Sequence, residues 1–286
     1  MIPKASDGLT PFSCDLHIHS ALSSCAENKM IPKEILKKII SLEIDIFSIT
    51  DHNSGFNCRA FETIAKENDV LLIPGIELQT SEEIHLLGYF PDIQTLNNFC
   101  LTVVKPNLMT NMKNDPLRFG HQIKINSSGG VIGEEEAMLS MPLNISIDEL
   151  PQHIHNFEGI AVPAHLDRGF SLISQLGYIP PQLEIDAVEI WNISKMESIR
   201  SEFLKDSNLN IISSTDSHYI DMMKAPKMKL WLKNRDVQSC LNCIKGKGPG
   251  KITISWKATR ESQKTKENKF DPDASISPKD WRQLYK

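Results

Sequence analysis

A chain of 286 residues, 40% hydrophobic and 23% charged, has an ordinary globular make-up and can bury a core without disulfide or metal staples. Its net charge of −5 argues against a broad basic face for duplex nucleic acid, while leaving room for a small phosphate-binding pocket. No apolar run approaches a membrane span and the first residues lack a signal-peptide core, so the six cysteines are expected to be reduced thiols in a cytoplasmic protein.

From residue 12 onward short apolar runs alternate with helical patterns. Phe12–His19 is the first predicted strand, followed by a helix over Pro32–Glu43, where Pro32 suits the first helical position and Leu36, Ile39, Ile40 and Leu42 supply an apolar face. A strand at Ile44–Thr50, a helix at Cys58–Asn68, and strands at Val70–Leu78 and Ile84–Phe90 come next. Residues 91–151 break the rhythm: they are less apolar and predict a hairpin, Gln122–Asn126 with Val131–Gly133, around Ser127-Ser128-Gly129-Gly130. That segment reads as an insertion covering one end of the fold. Strands at Gly159–His165, Ala187–Trp191 and Leu209–Thr215 then follow, with a helix at Met196–Asp206. Strands separated by helices imply parallel βαβ units, and the lack of a GxGxxG motif after the first strand favours a barrel over a dinucleotide-binding sheet. The pattern fills 1–256. Residues 257–286 are polar and mixed in charge, a tail with a short docking element for a protein partner near Trp281 and Leu284.

Histidines and acids fall at particular places in this pattern. His17 and His19, two apart at the end of the first strand, leave one face. Asp51 and His52 follow the second strand, Glu77 ends the third, His85 lies in the fourth, His165 follows Gly159–Pro163, and Asp216 and His218 close Leu209–Ser214. In a parallel barrel the carboxyl ends of the strands share one rim, so six of the nine histidines converge on one mouth. Imidazole with carboxylate suits zinc, manganese or iron, and six histidines exceed the needs of one ion. Two or three divalent ions sharing a bridging carboxylate are expected.

DLHIHS (15–20), TDHN (50–53), PGIE (74–77), IHLLGYF (84–90), PAHLDR (163–168) and STDSH (214–218), in order over residues 13–233, resemble the successive motifs of the PHP (polymerase and histidinol phosphatase) family. The resemblance implies an α/β fold, a distorted (β/α)7 TIM-like barrel, with a metal-dependent phosphoesterase activity. Position by position it implies one ion on His17, His19 and Asp216, a second on His85 and His165 with Glu77 bridging the two, and a third on His52 and His218. Arg168 resembles the family's phosphate-gripping basic residue, and a guanidinium fork matches two phosphate oxygens. Asp15 and Asp51 flank ligands and are candidates to orient the histidine rings. The chemistry implied is attack by a water that the ions have deprotonated, with His218 meeting the leaving oxygen.

Cys25 departs from the family pattern. It falls where some members carry histidine, and a thiolate is competent for zinc or iron; as a spectator it would leave the third site incomplete. The substrate stays open between phosphomonoesters, including a histidinol-phosphate-like metabolite, and phosphodiesters, with a lean to nucleotides or oligonucleotide ends. A non-catalytic module serving as a structural or partner subunit, and a metal-buffering protein, are the rival classes. His153-x-His155 sits in a helix-like stretch, Ile147–Phe157, where two-apart residues diverge; His121 has no predicted partner, Glu134-Glu135-Glu136 reads as a solvated turn into a helix, and a lone Cys240-x-x-Cys243 signals neither zinc nor redox chemistry.

Overall fold

The computed structural model describes residues 8–109, 112–205 and 207–255; the segment read as a polar tail from Lys257 lies outside the described residues. β1 (Thr10–Ile18) leads through a long loop to α1 (Pro32–Ser41), whose proline stands at the helix start as expected and whose Ile35, Leu36 and Ile39 are buried. β2 (Ile46–Ile49), α2 (Cys58–Glu67), β3 (Leu71–Gln79) and β4 (His85–Tyr89) follow, then α3 (Ile93–Phe99), which continues into a π-helical turn at Cys100–Val104. A hairpin of β5 (Ile123–Ile125) and β6 (Val131–Glu134) occupies the segment predicted to hold one. β7 (Ile160–Pro163), β8 (Ala187–Glu189), β9 (Asn210–Ile212), β10 (Met228–Leu232) and β11 (Lys251–Ile254) complete the strands.

Seven strands form one sheet in the order β11-β10-β1-β2-β3-β4-β7, curled into part of a barrel; β8 and β9 pair separately. The expected all-parallel seven-fold repeat gives way to a mixed sheet. β1, β2 and β3 run parallel through the crossover helices α1 and α2, but β4 is antiparallel to both β3 and β7. The cause is chain length. Only residues 80–84 separate β3 from β4, too few for a crossover, which takes about a dozen. They make a tight turn instead, with the Thr80 N–H donating to the Ile84 carbonyl at 2.9 Å. β10 is likewise antiparallel to β1 and β11, so that side of the sheet ends on two antiparallel strands joined through the helix Val237–Ile244.

Alternation along the strands feeds two cores. Phe47, Ile49, Ile76 and Leu78 pack with the helical residues Ile35, Ile39, Phe61 and Leu96, whereas Leu16, Ile46, Ile73, Leu87, Tyr89, Val162 and Ile212 pack together with the helix Val237–Ile244. Cys240 and Cys243 are buried in this second core, and burial pushes both thiols up, Cys243 to about 12. The CxxC is packing. Tyr89, fully buried, donates its hydroxyl to the Leu16 carbonyl at 2.9 Å and so ties β4 to the strand carrying the HxH pair.

The hairpin is fastened to the loop after β2. The Asn57 side-chain amide donates to the Ile123 carbonyl at 3.0 Å and accepts from the Ile125 N–H at 2.9 Å, while the Asn53 amide donates to the carbonyls of Leu139 and Met141. Both asparagines are buried, and Asn53 directly follows His52. Among the described residues no helix is long and apolar enough to cross a membrane.

Candidate metal centre

The reversal of β4 is what brings the fourth strand's histidine to the rim. An antiparallel strand presents its N-terminal end where parallel neighbours present their C-terminal ends, so His85, first residue of β4, stands beside Gln79 at the end of β3. His17 and His19 of β1, His52 after β2, Glu77 of β3, His165 after β7 and Asp216 and His218 after β9 reach the same place. All are buried except His85 and His218, which are half-buried. Two of these residues sit on left-handed backbone, His165 at φ 26° and Asp216 at φ 52°, a conformation retained only where surrounding structure holds it.

Glu77 is the centre. Its Oε1 lies 2.9 Å from His85 Nδ1, 3.3 Å from His165 Nε2 and 3.4 Å from His17 Nε2; its Oε2 lies 3.1 Å from His19 Nε2 and 3.2 Å from His52 Nδ1. Asp216 Oδ1 lies 3.3 Å from the Nε2 atoms of both His17 and His19, which are 3.2 Å apart. Although these atoms are close, Glu77 Oε1, His52 Nδ1, His85 Nδ1 and Asp216 Oδ1 are buried with no aligned hydrogen-bond partner. Buried polar atoms are normally paired. Donors converging on shared points at such spacing suit cations instead, since ligands about 2.1 Å from a tetrahedral ion are about 3.4 Å from one another. The residues fit the ions that the sequence calls for.

Three sets of donors lie within 4.8 Å of one another: His17, His19 and Glu77; His52, Glu77 and His85; and His19, Cys25, His52 and His218. Cys25, half-buried, therefore joins the others. The grouping also refines the expected partition, because His52 faces Glu77 and His85 as well as Cys25 and His218.

The surroundings orient the rings. Asp51 accepts from the Ser20 N–H and from the hydroxyls of Ser20 and Ser23, and Ser23 Oγ is 2.9 Å from His19 Nδ1, so Asp51 acts on His19 through a serine. Asp15 touches no imidazole side chain. It accepts the Thr215 N–H at 3.0 Å and hydroxyl at 2.6 Å, holding the loop before Asp216, and burial raises its carboxyl to about 6. The residue absent from the sequence reading is Glu189, at the end of β8. Its Oε2 lies 2.9 Å from His17 Nδ1 and accepts the His165 N–H at 3.1 Å, with the side chain fully buried.

Charge is concentrated here. Burial pushes the Glu77 carboxyl up, but His85, His17 and His52 outweigh it and hold the group well below the usual range. Asp216 behaves alike: burial is outweighed by His17 and His218. For His19, burial pulls down while hydrogen bonds and charge from Asp216 and Glu77 carry it up to about 9. Burial leaves His52 well below its ordinary value. Buried carboxylates among imidazoles are costly unless positive charge, from protonated rings or from ions, lies beside them.

Arg168 bonds Asp216 Oδ2 through Nη1 at 2.6 Å, and its guanidinium lies 4.9 Å over the Trp191 ring; Asp167 instead accepts the N–H groups of Trp191 and Asn192. Away from the rim, His155 pairs with Asp186 at 2.7 Å while His153 is exposed, in a helix limited to Leu150–His155. His121 does have a partner, Glu134 at 2.9 Å. Glu134 ends β6 and no helix follows directly, because the Glu135 N–H donates to the Gln122 carbonyl and the Glu136 carbonyl accepts the Asn114 N–H, so their backbones are paired to other segments.

The model of the PHP domain matches residues 15–164. Among solved structures, the lesion-specific endonuclease Q of Pyrococcus furiosus superposes with a TM-score of 0.59 at 17% identity, over 85% of this chain and 58% of its own. Endonuclease Q bound to a 27-mer duplex with an abasic lesion at its active site gives 0.61 at 16% identity, over the same shares. A two-domain protein of Bacteroides vulgatus described as containing a predicted PHP-like metal-dependent phosphoesterase gives 0.51 at 16% identity, over 87% and 66%. The present chain spans less than two thirds of the length of each. At these identities the likeness is one of fold. No curated protein sequence matches.

Proposed function

The chain belongs to the PHP domain family, and from that premise we propose that it is a metal-dependent phosphoesterase acting on nucleotides or oligonucleotide ends. The observation that carries the reading is the ring of imidazole nitrogens and Asp216 around the Glu77 carboxylate, in which Glu77 Oε1, His52 Nδ1, His85 Nδ1 and Asp216 Oδ1 are close-packed yet lack aligned hydrogen-bond partners. In this reading His17, His19 and Asp216 hold one divalent ion. Glu77 would stand between it and a second ion held by His85 and His165, and His52, His218 and Cys25 would hold a third. Zinc, manganese and iron all suit such donors. When bound, the ions supply Lewis acidity and counter-charge for a phosphate ester.

The protein groups have their own tasks. Arg168, about a third exposed beside Asp216, presents its remaining guanidinium N–H groups to the non-bridging phosphate oxygens, and its seat on Trp191 limits its motion. His218 Nδ1 lies 3.0 Å from the Asp216 carbonyl; donating there, it leaves Nε2 free to bind an ion or exchange a proton with the leaving oxygen. Glu189 and the Asp51–Ser23 pair keep His17 and His19 in one tautomer. No side-chain nucleophile is needed. Ser20 and Ser217 are engaged with Asp51 and Thr215.

The net charge of −5 fits small or single-stranded substrates better than long duplexes. The test is elemental analysis of the purified protein together with phosphate release from nucleotides and short oligonucleotides. Two or more divalent ions per chain and turnover abolished in Asp216→Asn are expected. A metal-free protein, or full activity in that variant with its fold intact, would refute the proposal.

A further inference from the structure

One exposed aromatic beside the centre is left unused by the chemistry above. Phe170 is 46% exposed, and its ring stacks on His85 with centroids 5.1 Å apart and planes 15° apart. The backbone fixes it there. The Phe170 carbonyl accepts the His85 N–H at 2.7 Å, and Phe170 itself sits at φ 56°, a left-handed conformation that is an outlier for a bulky side chain. The loop on either side is pinned too. The Arg168 N–H donates to the His165 carbonyl at 2.9 Å, the Ser171 hydroxyl donates to the Arg168 carbonyl at 2.8 Å, and Ser171 caps the helix Leu172–Leu176 with a capping box. A single eight-residue loop, residues 164–171, thus presents a candidate metal donor, His165, the guanidinium of Arg168 and a partly bare aromatic ring.

We propose that Phe170 is the stacking platform for the base of a nucleotide substrate, so that the site selects phosphate esters whose organic part carries a planar ring. One side of the Phe170 ring is spent on His85, and the exposure of the rest leaves a π-face for a base while the attached phosphate reaches Arg168 two residues away. Base–aromatic stacking tolerates any base, because each has a π-face. Holding a strained, half-exposed phenylalanine on a rigid loop costs stability, and an apolar lid over His85 would be met as well by leucine without the planar face. The inference rests on the phosphoesterase reading and deepens it.

Selectivity is read as a ratio, which cancels general damage to the site. With the metal-loaded protein, kcat/KM is measured for adenosine monophosphate and for glycerol phosphate in wild type, Phe170→Leu and Phe170→Trp. Phe170→Leu is expected to lower the ratio of nucleotide to glycerol ester about tenfold, chiefly through KM, and Phe170→Trp to restore it. A ratio unchanged in Phe170→Leu overturns the proposal and leaves the ring a mere lid. Binding of 2-aminopurine riboside monophosphate supplies a readout free of turnover, since stacking quenches its fluorescence. Quenching lost in Phe170→Leu supports the platform even if no ester is cleaved, and equal quenching in both proteins refutes it. Absence of cleavage of every ester by the wild type would instead strike the phosphoesterase reading.

Discussion

Glu189→Gln is the most informative single change, because Glu189 reaches the proposed ions only through other residues. Its Oε2 takes a hydrogen bond from the His17 ring at 2.9 Å and one from the His165 backbone at 3.1 Å, with no exposure to water. A carboxylate acceptor makes a charge-assisted bond worth about 1.5–3 kcal/mol, against about 0.5–1.5 for a neutral one. The amide therefore forfeits about 1–2 kcal/mol of the force that keeps the His17 proton on Nδ1 and the lone pair on Nε2. Since 1.4 kcal/mol is tenfold, affinity for the ion held by His17 should fall about 5- to 30-fold, within the usual span for such outer-sphere partners. If the amide turns its NH2 toward His17, the tautomer inverts and the loss is larger. Competition with a chromophoric chelator measures the affinity, and the thermal midpoint of the metal-free proteins checks that the fold survives. Affinity within twofold of wild type, in a folded variant, would show that Glu189 does not orient His17.

Other consequences follow from particular contacts. Cobalt-loaded protein should show a sulfur-to-cobalt absorption in the near ultraviolet that disappears in Cys25→Ser, since Cys25 lies within 4.8 Å of three imidazole donors; an identical spectrum would place the thiol outside the centre. Tyr89→Phe leaves the buried Leu16 carbonyl without its 2.9 Å partner and should cost about 1–3 kcal/mol in urea unfolding, whereas an unchanged midpoint would mean that the carbonyl finds another donor. At Asp186 burial pushes the carboxyl up, but hydrogen bonds from His155 and the Ala161 N–H outweigh it and hold it below the ordinary value. A depressed carboxylate stabilises the fold above its unfolded pKa of about 3.9 and loses that contribution as pH falls through the lower folded value. Asp186→Asn should therefore be least stable relative to wild type near neutrality, with the gap closing below about pH 4; a gap independent of pH would rule out the ionised pair.

Much of this site was legible in the chain because its residues obey short-range geometry. His17 and His19 share a face because strand side chains alternate, and their Nε2 atoms lie 3.2 Å apart. His52, Glu77, His165 and Asp216 each follow or end an apolar run, and the strand ends they mark are where the structure gathers them. The separation of β3 from β4 by residues 80–84 is also legible as a reversal, since so short a link cannot cross over, whereas the succession of apolar runs alone suggests a parallel repeat. Glu189 was a fainter signal: a charge inside the run Ala187–Ile190, where a buried strand should carry none without a partner.

Residue order supplies the inventory, namely which residue types sit at which strand ends and that their donors suit several divalent ions. Who faces whom is settled by the packing of distant segments. That His85 arrives from the opposite direction, that Glu77 lies between five imidazoles, that Glu189 backs His17 and that Phe170 covers His85 all depend on strand order and loop closure between residues far apart in the chain. Local spacing fixes the direction of a side chain on its own element. Which elements become neighbours is set by burying both faces of the curled sheet at once, and no single segment encodes that condition.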